Sequence, residues 1–305
     1  MRLMLRNFAG ANFKEMKRRP NALFYHVYIK GLEKNLIFKD REDYVTGMNY
    51  IAINSFWTGV SILAFTLMSN HFHFIIYGTE KEAKSFINLY KRYVSRYLSK
   101  KYNTTHLLRH VRTDCKLIAN SGDALKIAIA YVLRNHMKAG INQSIQGYEW
   151  SSGHCYFAGT DLLEGCSPIS YLGTEEYRRS IRSKIRLDDK YLLNSKGYIE
   201  PASYVCIDFV ESCFGRVQSF DYFIYKAGST ARPKEGPIDF SDEFVLAGLK
   251  EIISKKYEVT DLEELNEALK KEVMLLLKRQ FNCSPKQLAR TMQMSLKDVN
   301  SILSL

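Results

Sequence analysis

Apolar and polar positions recur with strand-like or helix-like spacing through the first half of the chain. "ALFYHVYIKG" (22–31) alternates enough to predict a first strand ending at Gly31. "REDYVTGMNYIAINSF" predicts a helix. "GVSILAFTLM" predicts a buried strand, and "HFHFIIYG" another strand after a break at Ser69-Asn70. A long amphipathic helix is predicted from Thr79 through "TEKEAKSFINLYKRYVSRYLSKKY", with Thr79 as N-cap and Glu82 at the third helical position. Glu80 and Glu82 suit the positive end of that helix. "CKLIAN" reads as a short strand, and "SGDALKIAIAYVLRNHMKAG" as one helix with a serine cap at its start and Gly140 at its end. Strands alternate with helices, which predicts an α/β or α+β sandwich with helices packed on a sheet.

The pattern loosens past "YEWSSGHCYF". Residues 159–240 hold short segments, the basic stretch "EEYRRSIRSKIR" and the Gly/Pro punctuation of "AGSTARPKEGP", which predicts a connector or small irregular subdomain. From Ser241 the chain reads as helical: "SDEFVLAGLKEIISKKY", "DLEELNEALKKEVMLLLKRQF", "SPKQLARTMQM" and "SLKDVNSILSL". Ser284 with Pro285, and Ser295, are cap signals, so the last two segments read as short capped helices resembling a helix-turn-helix. The expected division is 1–158, 159–240 and 241–305.

Composition adds a direction. Apolar residues make up 46% of the chain and charged residues 25%, which excludes wholesale disorder. Lys and Arg number 44 against 32 Asp and Glu, a formal charge of +12, which points to a polyanion partner. Tyrosines interleaved with Lys and Arg suit a surface that neutralises phosphates and stacks on bases of single strands. Aromatics filling a core beside solvated cations is the plainer account of the same numbers. Six cysteines without a C-x-x-C pair fit a reduced chain. The basic N-terminus lacks a secretory h-region, and no apolar run is long enough to span a bilayer, so the expected location is the cytoplasm, in association with the nucleoid.

His71 and His73 stand one residue apart in an apolar strand, where two imidazoles cost free energy unless each has a partner. Residues i and i+2 of a strand share a face, so the pair can share one metal ion. Two satisfied histidines at a sheet edge are the alternative. "NHFH" followed by "FIIYG" resembles the HUH signature (His-hydrophobic-His) of nucleases that cut single-stranded DNA with a tyrosine. "AYVLRNHMKAGI" resembles the tyrosine helix of the REP-associated tyrosine transposases, relatives of the single-tyrosine insertion-sequence transposases. In that family a tyrosine lies four residues before an asparagine; here Tyr131 lies four before Asn135. "FYHVYIKG" and "YEWSSGHCYF" also resemble the family's first strand and W-S-S segment, so the resemblance spans about 20–158. His136 departs from the family's usual proline and is expected to leave the helix less sharply ended.

The resemblance implies an α+β fold with a ferredoxin-like antiparallel sheet and packed helices, followed by a mainly helical region. It implies Tyr131 as the nucleophile that forms a 5′-phosphotyrosine. It also implies that His71, His73 and Asn135 are ligands of a divalent cofactor, Mg or Mn. The chemistry is consistent: an aligned hydroxyl can attack a phosphodiester whose charge is neutralised, and a divalent ion polarises the phosphate. Tyr90, Tyr93, Tyr97 and Tyr102 are the rival tyrosines, but their helical spacing suits core packing and DNA contact. Lys91, Arg92, Arg96, Lys100, Lys101, Arg112, Arg134 and Lys138 are the candidate DNA contacts. His26 is expected to be packed or hydrogen-bonded, and His106, His110, His136 and His154 to lie at the surface. The basic run Lys17-Arg18-Arg19 is a phosphate contact or a solvated cluster.

The leading expectation is therefore a metal-dependent transposase-like endonuclease and strand transferase on single-stranded or hairpin DNA, with no membrane partner and a homodimer left open. A non-catalytic DNA-binding regulator on the same scaffold is the alternative. A replication or conjugation nickase fits less well, because helicase or mobilisation regions are absent from the sequence.

Overall fold

The computed structural model describes residues 19–30, 32–105, 107–119, 123–139, 141, 144–159, 161–226, 242–281 and 283–304. Lys17, Arg18, Gly31, His106, the serine cap at 121, Gly140, "AGSTARPKEGP", Ser241 and the side chain of Lys138 lie outside that description.

Four strands, β1 (Leu23–Ile29), β2 (Ser61–Met68), β3 (His71–Gly78) and β4 (Thr113–Leu117), form a sheet in the order β2-β3-β1-β4, every pairing antiparallel. Helix α1 (Arg41–Thr58) connects β1 to β2, and α2 (Glu80–Lys101) connects β3 to β4. Both start where polar caps are available. Asp40 accepts from the Asp43 N–H, and Thr79 with Glu82 makes the expected capping box. Gly59 ends α1 in the left-handed region at φ 72°.

Strand alternation gives the sheet two different faces. On one, Phe72 and Phe74 of β3 pack edge-on against Tyr90 and Phe86 of α2. The other carries His71 and His73 of β3, Tyr28 of β1 opposite His73, and Lys116 of β4 opposite His26. Helix α3 (Ala124–Leu133) covers the β2 side of this second face, anchored by the Thr66 hydroxyl donating to the Val132 carbonyl at 2.9 Å. Its buried residues are Ile129, Ala130, Val132 and Leu133.

The predicted helix over 121–140 is two pieces. α3 ends at Leu133, Arg134 makes the turn, and α4 (Asn135–Lys138) follows. The Asn135 amide donates to the Tyr131 and Val132 carbonyls at 2.9 and 3.2 Å, so a side chain takes up acceptors near the helix end. His136 lies inside α4, so helical structure continues past the position of the family's usual proline instead of ending there. The start differs too: Asp123 stands at the N-cap and makes no side-chain cap bond.

α1 is buried along most of its length because a second layer covers its outer side. Residues 159–226 supply that layer as short pieces: β5 (Ser167–Pro168) paired with β6 (Leu192–Leu193), α5 (Thr174–Ile181), α6 (Ile207–Phe214) and α7 (Val217–Asp221). Asn49 on α1 accepts from the Ile199 N–H at 2.8 Å, and an isolated bridge joins Val205 to Ile62 of β2. One hydrophobic cluster accordingly runs from Tyr25 to Ile224.

A second cluster, Val245 to Val299, belongs to α8 (Asp242–Tyr257), α9 (Glu267–Phe281), α10 (Pro285–Thr291) and α11 (Leu296–Leu303). Ser284 and Ser295 cap α10 and α11 as expected. The predicted helix over 261–281 is divided, because Asp261 and Glu264 close a capping box around a 3-10 turn before α9. This cluster abuts the turn that leads into His71. Asp242 is buried, accepts two hydrogen bonds from Arg290 at 2.9 and 3.0 Å, and accepts another from Ser69.

Candidate active site

His71 follows the β2–β3 turn, which a neighbouring loop holds. The Ser69 carbonyl accepts from the Ile37 and Phe38 N–H groups, and the Asn70 amide donates to the Leu32 carbonyl at 2.8 Å. The Asn70 side-chain oxygen pairs with His71 Nδ1 at 2.8 Å. The His71 and His73 rings stand perpendicular, at 89°, with centroids 5.0 Å apart. His73 Nδ1 lies 2.9 Å from His26 Nε2, so the partner of the second histidine comes from β1. Burial pushes the His71 ring down to about 4, against a raising hydrogen bond from Asn135, and burial likewise pushes His26 down to about 4. Both rings are therefore neutral near pH 7, the form that binds a metal.

Tyr131 stands over this group. Its ring centroid is 5.8 Å from that of His73 and 5.7 Å from that of His26, edge-on to both. It is 38% exposed although its neighbours Ala130 and Val132 are buried, so the ring is open to a large substrate. Two segments remote in sequence thus meet: β3 with His71 and His73, and the α3–α4 segment with Tyr131 and Asn135.

The donors present fit a divalent ion. The nitrogens bonded to Asn70 and His26 are both Nδ1, so Nε2 is the atom of each ring that would meet a metal. The Asn135 amide nitrogen serves the two helix carbonyls, which leaves its oxygen for His71. Two imidazoles and an amide oxygen, with water completing the set, suit Mg or Mn less strongly than late transition ions but are compatible with both.

Three neighbours of this group escape a reading of the sequence. His26 bonds His73, and Tyr28 stacks on both rings at centroid distances of 4.6 and 5.2 Å. Lys116 hydrogen-bonds Tyr28, which raises the lysine pKa, and is near enough to Tyr131 for their charges to interact. Only the β1–β3 and β1–β4 registers bring these residues to the histidine face; the alternation of "FYHVYI" was the available signal.

The candidate DNA contacts fall elsewhere. Lys91, Arg92 and Arg96 line a cavity of about 870 Å³ with Trp57 and Arg109 on the α2 side of the molecule, and the sheet separates α2 from Tyr131. Lys100 and Arg112 are exposed. Lys101 is engaged by Asp40, Glu42 and Asp43 at 2.7 to 2.9 Å. Arg134 is buried and donates to the Ile224 carbonyl at 3.3 Å. The rival tyrosines lie on α2 or just past its end. Tyr90 is fully buried, Tyr93 packs on Tyr50, and Tyr97 and Tyr102 donate to Asp43.

Two histidines expected at the surface are not there, while His110 is exposed. His154 is half-buried and lies 3.3 Å from Glu200. His136 is fully buried, stacked on Tyr148, with Nε2 donating to the Ser144 carbonyl at 3.1 Å. Burial pushes the His136 ring down to about 4. An unfolded chain takes up that proton near ~6.5, so the stability tied to the neutral ring is complete above pH 6.5 and falls as pH drops toward 4. The slope approaches about 1.4 kcal/mol per pH unit. His26 and His71 act in the same direction, whereas His154, pushed up to about 10, opposes them near pH 7, where the folded state alone holds its proton, and is protonated in both states well below pH 6.5. Denaturant unfolding at pH 7 and pH 5 should show the loss, and His136→Gln should reduce it by about one proton's worth. An unchanged pH slope in that variant would reject the assignment.

No protein-family model matches the chain, and no curated protein matches it. Among solved structures, it aligns with the structure of a REP-associated tyrosine transposase bound to a REP hairpin. The TM-score is 0.35 and the sequence identity 16%, over 50% of this chain and 86% of that one. At that level of likeness the functional reading rests on this chain's own geometry. Among the described residues, no helix is long and apolar enough to cross a membrane.

Proposed function

We propose that this chain is a metal-dependent, transposase-like endonuclease and strand transferase that acts on single-stranded DNA at hairpin-bearing repeats, through a 5′-phosphotyrosine on Tyr131. The observation that carries the reading is the exposed Tyr131 ring held against His26 and His73, with Asn135 bonded to His71. Packing alone gives no reason to hold an exposed phenol against two imidazoles and an amide against a third.

In this reading the β-α-β-β-α-β order is a ferredoxin-like sheet whose open face is the active site. Residues 1–158 form the nuclease unit, 159–240 the connector and 241–305 a helix-turn-helix-like unit, in a cytoplasmic, nucleoid-associated protein. His71, His73 and Asn135 hold Mg or Mn, which when bound polarises a phosphoryl oxygen. Tyr131 Oη gives up its proton to solvent and bonds to phosphorus as the P–O3′ bond breaks, and the departing 3′ oxygen takes a proton from solvent and becomes a free hydroxyl, so one proton is released and one taken up. Lys116 supplies positive charge beside the reacting group. His26 fixes the His73 ring through its hydrogen bond, so Nε2 of His73 is presented in one orientation. The phosphotyrosine keeps the bond energy, so strands can be rejoined without ATP.

Incubating the chain with labelled single-stranded hairpin DNA and Mn or Mg, followed by a denaturing gel, tests the proposal. A covalent adduct that needs the divalent ion is expected. His71→Ala and His73→Ala should each abolish cleavage while leaving much of the DNA affinity, because affinity rests mainly on Lys and Arg contacts to phosphate. Cleavage by the double variant at the wild-type rate would overturn the reading. DNA binding with no adduct under any divalent ion would favour the regulator instead.

A further inference from the structure

We propose that His154, Cys155 and Glu200 form a second metal site, for a divalent transition ion, with zinc the ion that suits the donors. The proposal stands apart from the nuclease reading and uses none of its residues. Among the described residues these three place an imidazole nitrogen, a thiol sulfur and a carboxylate oxygen within 4.8 Å of one another. Zinc takes this mixture of nitrogen, sulfur and oxygen at about 2.0–2.3 Å, which puts neighbouring ligand atoms roughly 3.5 Å apart. His154 Nε2 and Glu200 Oε1 already stand at 3.3 Å. The Cys155 sulfur lies within 4.8 Å of both other ligand atoms, so the ion would draw it closer as third ligand, with water in the fourth position.

The surroundings favour a cation there. Cys155 and Glu200 are both buried. A buried glutamate side chain beside an imidazole and a thiol offers a divalent ion an acidic oxygen together with two softer donors. Binding would displace the proton from His154 and the one on the Cys155 thiol, leaving a neutral imidazole and a thiolate as ligands. The Asn194 amide donates to Glu200 Oε2 at 2.8 Å, which turns Oε1 toward His154. On the other side Gly153 fixes the turn: a Cβ there would meet the Ile145 carbonyl oxygen at 2.5 Å, so the backbone beside His154 admits only glycine. The ion would tie this turn to the 192–200 strap, in a region whose sheet is the two-residue pair β5–β6. Such short segments gain the most from a metal cross-link.

The test is a cobalt titration of the full chain after removal of metal with a chelator. One equivalent of Co(II) should bind with a thiolate-to-cobalt charge-transfer band, and Zn(II) should displace it. Cys155→Ser should lose the band. Glu200→Gln, which keeps shape and polarity, should weaken Co(II) at least tenfold. His71→Ala with His73→Ala should keep the band, so failure of the nuclease reading stays distinguishable from failure of this one. A wild-type spectrum without the thiolate band would overturn the proposal, as would a band and affinity unchanged in Glu200→Gln. If Cys155→Ser fails to fold, the wild-type spectrum and the Glu200→Gln affinity still decide.

Discussion

Tyr131→Phe is expected to eliminate the covalent DNA adduct and to reduce cleavage by at least about 10³-fold, the scale set by removing an activated nucleophile. The substitution deletes one oxygen and keeps the ring that packs edge-on to His26 and His73. The residue is substantially exposed, so stability should change by no more than about 0.5 kcal/mol. DNA affinity should hold, because His71, His73 and every basic residue are unaltered. Tyr97→Phe provides the contrast. Its hydroxyl donates to the buried Asp43 at 2.9 Å, so losing it should cost about 2 kcal/mol of stability and leave the adduct intact. An adduct that survives Tyr131→Phe but vanishes in Tyr97→Phe or Tyr93→Phe would move the nucleophile to α2 and undo the assignment.

The parts of this arrangement that local pattern controls were legible in the sequence. The "HFHFIIYG" strand begins and ends where alternation places it, and Thr79, Ser284 and Ser295 cap the helices they precede. The pairing of His71 with His73 needs only a period of two. What pattern could not supply was register. Whether His26 and Tyr28 or Val27 and Ile29 face the histidine pair depends on which residue of β1 lies opposite His73, and long-range pairing alone fixes that. The same limit hid His154 and Glu200, which are 46 residues apart and meet only because the 192–200 strap folds back. His136 was expected at the surface, yet stacking on Tyr148 buries it. Basic residues on α2 read as one class in sequence, but their surroundings divide them.

That division predicts the largest effect on stability. Asp43 is 0% exposed and accepts hydrogen bonds from Lys101 at 2.8 Å, from the Tyr97 and Tyr102 hydroxyls at 2.9 and 2.7 Å, and from the Lys39 N–H at 2.8 Å. Burial alone would lower the Lys101 pKa, but the hydrogen bonds Lys101 donates to Asp40, Asp43 and Glu42 outweigh it and raise it. Lys101 therefore joins α2 to the start of α1 rather than reaching for a phosphate. Removing one member of a buried, hydrogen-bonded charge group costs about 3–5 kcal/mol, because the remaining charge keeps its desolvation penalty and loses its partner. Asp43→Ala should fall in that range. Lys101→Met, which keeps the aliphatic stem, should cost at least about 2 kcal/mol by leaving Asp43 buried without its cation. Neither change should alter the salt dependence of DNA binding. Arg92→Ala and Arg96→Ala should behave in the opposite way: both residues are exposed, so stability should stay within about 0.5 kcal/mol. If they meet phosphate, the slope of log affinity against log salt should drop by about one unit for each phosphate no longer neutralised. Denaturant unfolding and a salt titration of hairpin-DNA binding on the same four variants separate the two roles. A Lys101→Met protein that unfolds like wild type and loses salt slope would return Lys101 to the DNA surface.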